Sequence, residues 1–424
     1  MTPRGSGRST IPFDAAQRRI VESCAPLATE RVALRDAAGR IAGVTLNARE
    51  DLVPFARSAM DGFAMCAADL SGLPREFPVR ARAYAELGSV EHAPQTATAI
   101  ATGAPIPRGA DTVLPIEDVE TSDGVVRILQ AIAVGSNIFP PGEDARAGDV
   151  LIELGTVLRP SALGLLASDG CAEVEVYRKP RVVVVCTGDE LVPIDAPPAY
   201  GQIRNSNAFV TTAAIEALGA RVVAASLIAD ERAALRLALA DALESADLVV
   251  TTGGASVGER DFVKPLLKEL GVEFLFDTVA LRPAKPTAFG RRAAAVGAAP
   301  VHVAVLPGNP SSAFIALQEF VRPALFALGG RRDPLPSTHP ARLDGRIRAK
   351  PNSAYACYAQ IRLCEGCLVA RPLDNQCSAL TRSASEADGF ILAPPGTETF
   401  ASGATVRVDV FDWTYVGQPI TSRS

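Results

Sequence analysis

Between Arg181 and Leu328 short apolar runs alternate with helical segments, and this alternation constrains the fold more than any other feature of the chain. Arg181 to Cys186 has the continuous apolar character of a strand buried on both faces, and it ends in Thr187-Gly188-Asp189-Glu190. Asn205 to Asn207 predicts the cap of a helix running to Gly219. Arg221 to Leu227 predicts the next strand, and Asp230 the cap of a helix from Glu231 to Leu243. Val301 to Leu306 is a further buried strand, followed by PGNPSSA and a helix from Ser312 to Leu328. Strands separated by helices predict an open, doubly wound α/β sheet whose ligand crevice lies at the carboxyl ends of its strands.

One of those ends reads DLVVTTGGASVGERD, Asp247 to Asp261. Gly253, Gly254 and Gly258 allow close backbone approach, the next helix start offers free N–H groups, Ser256 adds a hydroxyl and Asp261 a carboxylate. By itself the loop reads equally as a tight structural turn. Glu190, Asp230 and Asp261 each follow a strand of the same sheet, so three distant parts of the sequence converge on one crevice, with Asp189 as a fourth candidate. Carboxylates beside a phosphate-cradling loop suit Mg2+ bridging a phosphate group. Lys285, between Pro283 and Pro286, is either a cation held on a stiff segment or a surface turn.

A chain of 424 residues exceeds one typical core, so several domains are expected. Pro12 to Cys24 has the spacing of an amphipathic helix. PFARSAMDGFA, Pro54 to Ala64, follows neither helical nor strand periodicity; Ser58, Asp61 and Gly62 make it a functional turn or a tight turn capped by aspartate. Phe77 to Gln130 reads as a small β domain, and within it ATGAPIPRGADTVLPIED presents Thr102, Asp111 and Glu117. FPPGEDARAGDVLIELG, Phe139 to Gly155, clusters Glu143, Asp144 and Asp149 beside glycines, an arrangement that solvated loop carboxylates also explain. From about Arg331 alternating strands predict a closing β-barrel or sandwich.

A net charge of −5 without a long basic block argues against a nucleic-acid partner, and no stretch is apolar for long enough to span a bilayer, so a cytoplasmic protein is expected. Eight cysteines in such a chain read as free thiols. Cys364 and Cys367 flank a predicted hairpin turn at Glu365-Gly366, which competes with a zinc site completed by Cys357 and Cys377. Three histidines lack any nucleophile–base or HExxH-type spacing.

PFARSAMDGFA, ATGAPIPRGAD, PPGEDARAGD, VVCTGDELV, GQIRNSN, TTGGASVGERDF, RPAKPTAFG and VLPGNPSSAF occur in the order found in the molybdopterin molybdenumtransferase family, which includes the E domain of gephyrin. The chain resembles that family from near Pro12 through its last β segment. The resemblance implies Mg2+-dependent cleavage of adenylylated molybdopterin, release of AMP and insertion of molybdenum from molybdate at the dithiolene. It implies an elongated subunit: an N-terminal helix (12–27), a connecting domain (28–53 and 143–177), an inserted β domain (54–142), a molybdopterin-binding α/β domain (178–330) and a C-terminal β domain (331–424). It also implies a homodimer whose cleft uses both chains, with a molybdopterin adenylyltransferase and molybdoenzyme maturation factors as partners.

Carried over by motif, Glu190, Asp230 and Asp261 serve Mg2+ and the pyrophosphate, while Asp61 and Thr102 approach from the partner chain with Asp144 nearby. Gly253, Gly254, Ser256, Gly258, Arg282, Lys285 and Ser312 surround the pterin and the oxyanion. Three departures bear on oxyanion affinity. Phe139 and Gln360 stand where many relatives have arginine, and Ala284 stands where glycine is usual. Arg362, two residues along the same predicted strand face, is the expected compensation for Gln360. The competing reading is a cofactor carrier, or an enzyme that uses tungstate.

Overall fold

The computed structural model describes residues 10–85, 90–254, 261–293, 299–349, 352–396 and 399–411. The predicted alternation forms a six-stranded sheet in the spatial order Arg221–Ile228, Arg181–Thr187, Leu248–Thr252, Val301–Leu306, Ala288–Arg292, Val272–Phe276. The first four strands are parallel. The last two form an antiparallel edge that the strand–helix alternation did not announce, because no helix separates them.

Alternate residues of the parallel strands face opposite sides, as the strand period requires. Val182, Val184, Leu248 and Val250 pack with Ile215 of helix Ser206–Ala217 on one face. Val183, Val185 and Val249 pack with Leu235, Leu239 and Leu266 of helices Arg232–Ser245 and Val263–Glu269 on the other. The doubly wound reading therefore holds.

Two helical expectations change. Asn205 caps its helix as predicted, accepting from Ala208 N at 3.2 Å. The next helix is capped by Glu231 instead of Asp230, with Ala233 N and Ala234 N donating to its carboxylate at 3.1 and 3.2 Å. Asp230 is thereby left to face the crevice. The helix expected from Ser312 to Leu328 runs as Pro310–Ala316, a π turn Leu317–Val321 and Arg322–Leu328. Pro323 has no N–H for the carbonyl four residues back, Glu319 O, and the chain widens there. Gln17 of the N-terminal helix Phe13–Ser23 supplies the missing donor, its Nε2 lying 3.1 Å from Glu319 O and 3.0 Å from Glu319 Oε2.

The last segment is a closed five-stranded barrel, ordered Ala354–Cys364, Cys367–Pro372, Thr338–Leu343, Thr405–Val410, Gly389–Ala393 and back to the first. Cys364 and Cys367 face each other across the expected hairpin turn, whose Glu365 and Gly366 have φ of 50° and 78°. Strand Val279–Arg282 lies outside the α/β sheet. It pairs with Ile11–Pro12 on one side and with Ala354–Cys364 on the other. Towards the N-terminus a second six-stranded sheet runs from Thr112–Pro115 to Val119–Ser122, and short pairs such as Thr29–Ala33 with Glu173–Tyr177 connect it to the rest. No helix among the described residues is long and apolar enough to cross a membrane.

Ala284 is buried with a φ of +92°, a conformation that disfavours any Cβ. Ala284→Gly is expected to raise stability by about 1 kcal/mol even after the extra unfolded-state entropy of glycine. Urea denaturation midpoints measure this; a lower midpoint would mean that burial of the alanine methyl outweighs the strain.

Candidate functional site

The crevice is built by close backbone contact between strand ends. Gly253 has a φ of +93°, and a Cβ there would lie 2.2 Å from Thr187 O. A Cβ on Gly308 would lie 3.6 Å from Gly253 Cα. Glycine is thus demanded at 253 by the neighbouring strand itself, whatever a ligand requires. Gly254, with a φ of +58°, is closed in by Val263, whose Cγ2 would be 2.4 Å from an added Cβ.

Beside this junction Glu190 and Asp230 follow the ends of two adjacent strands, Arg181–Thr187 and Arg221–Ile228. Thr187 Oγ1 donates to Asp230 Oδ1, and Asp230 N donates to Asp189 Oδ1 at 3.2 Å. Glu190 is exposed, and its carboxylate folds back over Gly188, where an added Cβ would meet Oε2 at 2.8 Å. Asp261 is half-buried just before helix Val263–Glu269. Among the described residues no three His, Cys, Asp or Glu side chains converge tightly enough to hold a metal ion by themselves.

The opposite wall comes from later parts of the chain. Ser312 is buried on helix Pro310–Ala316. Asn207 Nδ2 donates to Gly308 O at 2.7 Å, fixing the turn that precedes this helix. From the barrel, Ser378 O accepts from Ser311 N at 3.1 Å, Ser378 Oγ accepts from Asn309 Nδ2 at 3.4 Å, and Tyr358 Oη donates to Ser311 O at 2.9 Å. Lys264, almost fully buried, donates to Asp277 O at 2.9 Å and Pro286 O at 3.0 Å. It braces the segment that carries half-buried Arg282 and exposed Lys285. Thr187, Asn207, Lys264 and Ser378 escaped sequence reasoning. Thr187 and Asn207 carried a weak signal, as polar residues at a strand end and in a first helical turn; Ser378 carried none, since its contacts are long-range.

Other expected residues lie apart from the crevice within one chain. Asp61 accepts from Thr102 N at 2.7 Å and Thr102 Oγ1 at 3.0 Å, and those two bonds hold its carboxyl below the usual range, the backbone one first. Behind it Gly62 is locked, because an added Cβ would be 1.9 Å from Leu114 O. Among the described residues, the hydrogen bonds made by Asp61 and Thr102 stay within the inserted domain. Asp144 is exposed in the connecting region. Arg362 is ion-paired with Asp344 at 3.3 Å, and Arg371 is the residue directly across from Gln360. The Phe139 ring receives the Arg57 guanidinium at 5.3 Å. Ser256 and Gly258 lie outside the described residues.

Comparison with known proteins covers nearly the whole chain. Residues 11–170 match the MoeA N-terminal region (domain I and II), 183–327 a probable molybdopterin binding domain, and 340–411 the MoeA C-terminal region (domain IV). A molybdopterin molybdenumtransferase of Bacillus subtilis (strain 168) is 36% identical over 412 residues, 95% of this chain and 94% of the relative. The chain belongs to the molybdopterin molybdenumtransferase family. A second member, from Haemophilus influenzae, is 37% identical over 325 residues, 76% of this chain and 78% of its own. Among solved structures, a molybdopterin biosynthesis MoeA protein from Pyrococcus horikoshii superposes with a TM-score of 0.76 at 29% identity, covering 95% of this chain and all of that one. Another structure of a Pyrococcus horikoshii MoeA protein gives a TM-score of 0.81 at 25% identity over the same shares. The molybdenumtransferase fold thus extends across all the sheets described above.

Proposed function

We propose that this chain acts in molybdenum cofactor biosynthesis by inserting molybdenum from molybdate into adenylylated molybdopterin, with Mg2+ as cofactor and AMP as the leaving product. The observation that carries the reading is the Thr187–Gly253 contact, beside which Glu190 and Asp230 follow adjacent strands and Thr187 Oγ1 holds Asp230, with half-buried Asp261 just before helix Val263–Glu269. Mg2+ keeps several waters and commonly uses one or two carboxylates together with phosphate oxygens. That mode suits a set in which Thr187 already fixes the Asp230 carboxylate. Glu190, Asp230 and Asp261 would hold Mg2+, which when bound would supply charge neutralisation to the pyrophosphate. Thr187 holds the Asp230 carboxylate in one orientation, and Glu190 and Asp261 would act on the phosphates only through the cation they help to hold. Arg282, Lys285 and Ser312 supply cations and a hydroxyl to the oxyanion, and Gly253 and Gly254 shape the floor of the pocket.

In this reading the protein is a cytoplasmic homodimer. Asp61, Thr102 and Asp144 of a second chain complete the cleft, a molybdopterin adenylyltransferase delivers the substrate, and molybdoenzyme maturation factors take the product. A second reading, a cofactor carrier or a tungstate enzyme, is favoured by Gln360 together with the engagement of Arg362 by Asp344. The deciding experiment follows AMP release and active-cofactor formation from purified protein, adenylylated molybdopterin and Mg2+, with molybdate or tungstate titrated in. Oxyanion-dependent turnover that disappears in Glu190→Ala is the expected result. Tight pterin binding without such turnover would leave the carrier.

A further inference from the structure

The crevice takes the carboxyl ends of the parallel strands, and the opposite ends of the same strands border a cavity of about 380 Å³. Pro180 on its wall precedes strand Arg181–Thr187, Gly219 precedes strand Arg221–Ile228, and Phe326 lies at the far end of the helical run that begins at Pro310. The facing wall is Gly39, Ile41 and Val157 of the connecting region, so the cavity lies on a seam between two parts of the fold, a common place for small-molecule sites. Among the described residues, none of this lining belongs to the barrel or to the segment that carries Arg282 and Lys285.

Its charge is one-sided. Arg40, Arg159, Arg178, Lys179 and Arg331 line it, with no Asp or Glu among the described residues of the wall. Arg178 is held by Asp247 through two bonds of 2.6 and 2.8 Å, and Arg40 donates to Glu30 and to Tyr177 O. Arg331 lies over the Phe326 ring, its Cζ 4.2 Å from the ring centre. Arg159 and Lys179 are exposed, and neither side chain has an ion-pair or hydrogen-bond partner among the described residues.

The space beside these cations is apolar and preformed. Val157, Leu218, Leu325 and Phe326 contribute to its wall. The Tyr177 ring is pressed on backbone, where a Cβ added to Gly330 would lie 2.2 Å from its Cδ2. Gly39 N donates to Leu158 O and Leu158 N to Arg40 O, both at 2.8 Å, so a ligand has little backbone left to order. Helices Ser206–Ala217 and Arg322–Leu328 both end here, and the partial negative charge of their last carbonyls favours a singly charged guest over a dianion.

We propose that this cavity binds a small organic carboxylate, its head at Arg159 and Lys179 and its apolar body against Leu218 and Phe326. Charge-assisted hydrogen bonds fix the head, and burial of the body supplies affinity. The guest touches both the connecting region and the α/β domain, so binding also stabilises the folded chain.

Cations beside helix C-termini stabilise those helices as well, so the test reads binding as well as stability. Isothermal titration calorimetry on the full chain uses benzoate as probe, with acetate and phenyl phosphate as comparators. Benzoate is expected to bind at least about tenfold more tightly than acetate, which has the head alone. Arg159→Ala/Lys179→Ala should weaken benzoate by about tenfold, Arg159→Lys should weaken it less, and Arg282→Ala/Lys285→Ala in the crevice should leave it unchanged. No binding of benzoate, binding that survives the first double variant, or binding that is lost in the second would each overturn the proposal. A phenyl phosphate event that is tighter than the benzoate one and lost in Arg159→Ala/Lys179→Ala would overturn the choice of a carboxylate. Urea midpoints confirm that the variants fold, and none of these readouts depends on turnover.

Discussion

Arg322→Met is expected to destabilise the chain by about 3–5 kcal/mol, the cost of leaving a buried carboxylate without its counter-ion. Arg322 and Asp409 form an ion pair with side chains 2% and 1% exposed, and Arg322 Nε also donates to Gln318 O at 3.2 Å. Asp409 belongs to barrel strand Thr405–Val410 and Arg322 to the helix after the π turn, so the pair fastens the barrel to the α/β domain. Glu319 lies in the same cluster. Burial first, and then the neighbouring Asp409 charge, hold its carboxyl well above the usual range, while Arg322 pulls the other way. The folded state therefore keeps a proton that the unfolded state loses near 4.5, so this group contributes less stability as pH rises above that value. Urea titrations across pH should show that decline in the parent and not in Glu319→Gln. Arg322→Met/Asp409→Leu should recover much of the loss, since two apolar residues can replace a buried pair. A loss below about 1 kcal/mol for Arg322→Met would place the pair in the weak class typical of solvated ion pairs.

The second large effect concerns Gly253. Gly253→Ala is expected to reduce turnover by about 100-fold, because a Cβ placed 2.2 Å from Thr187 O forces the two strand ends apart by roughly 1 Å. Thr187 moves with its strand, and with it the hydroxyl that orients Asp230. The control is Gly148→Ala. Gly148 has a nearly equal φ of +91° but open space around it, so it reports backbone strain without displacement. If both variants lose stability alike and Gly253→Ala keeps its kcat, the close contact has no part in aligning the site.

The alternation from Arg181 onward was readable because both faces of the parallel strands are covered and their apolar runs are uninterrupted. The ends of the elements were less so. Asp230 and Glu231 are adjacent acids equally able to cap, and the choice is made by Thr187, 43 residues earlier, which takes Asp230. The π turn shows the same limit. Pro323 announces a disturbance, but only Gln17, 302 residues from Glu319, makes it tolerable. Barrel or sandwich could not be decided locally either, since closure depends on the pairing of Ala354–Cys364 with Gly389–Ala393. For the site, Glu190 and Asp230 were legible as residues that follow strand ends, whereas the engagement of Arg362 by Asp344 depends on a neighbour outside its own strand.

Strand Val279–Arg282 is hydrogen-bonded to the beginning of the described chain at Ile11–Pro12 and to Ala354–Cys364 in the barrel. The order of synthesis gives this arrangement a meaning. The parallel core has all its strands once Val301–Leu306 has left the ribosome, but the strand leading into Arg282 and Lys285 still lacks one neighbour. A nascent chain thus completes the strands that precede Glu190 and Asp230 before the strand leading into Arg282 and Lys285 gains its second neighbour, and that segment is finished only when the barrel is.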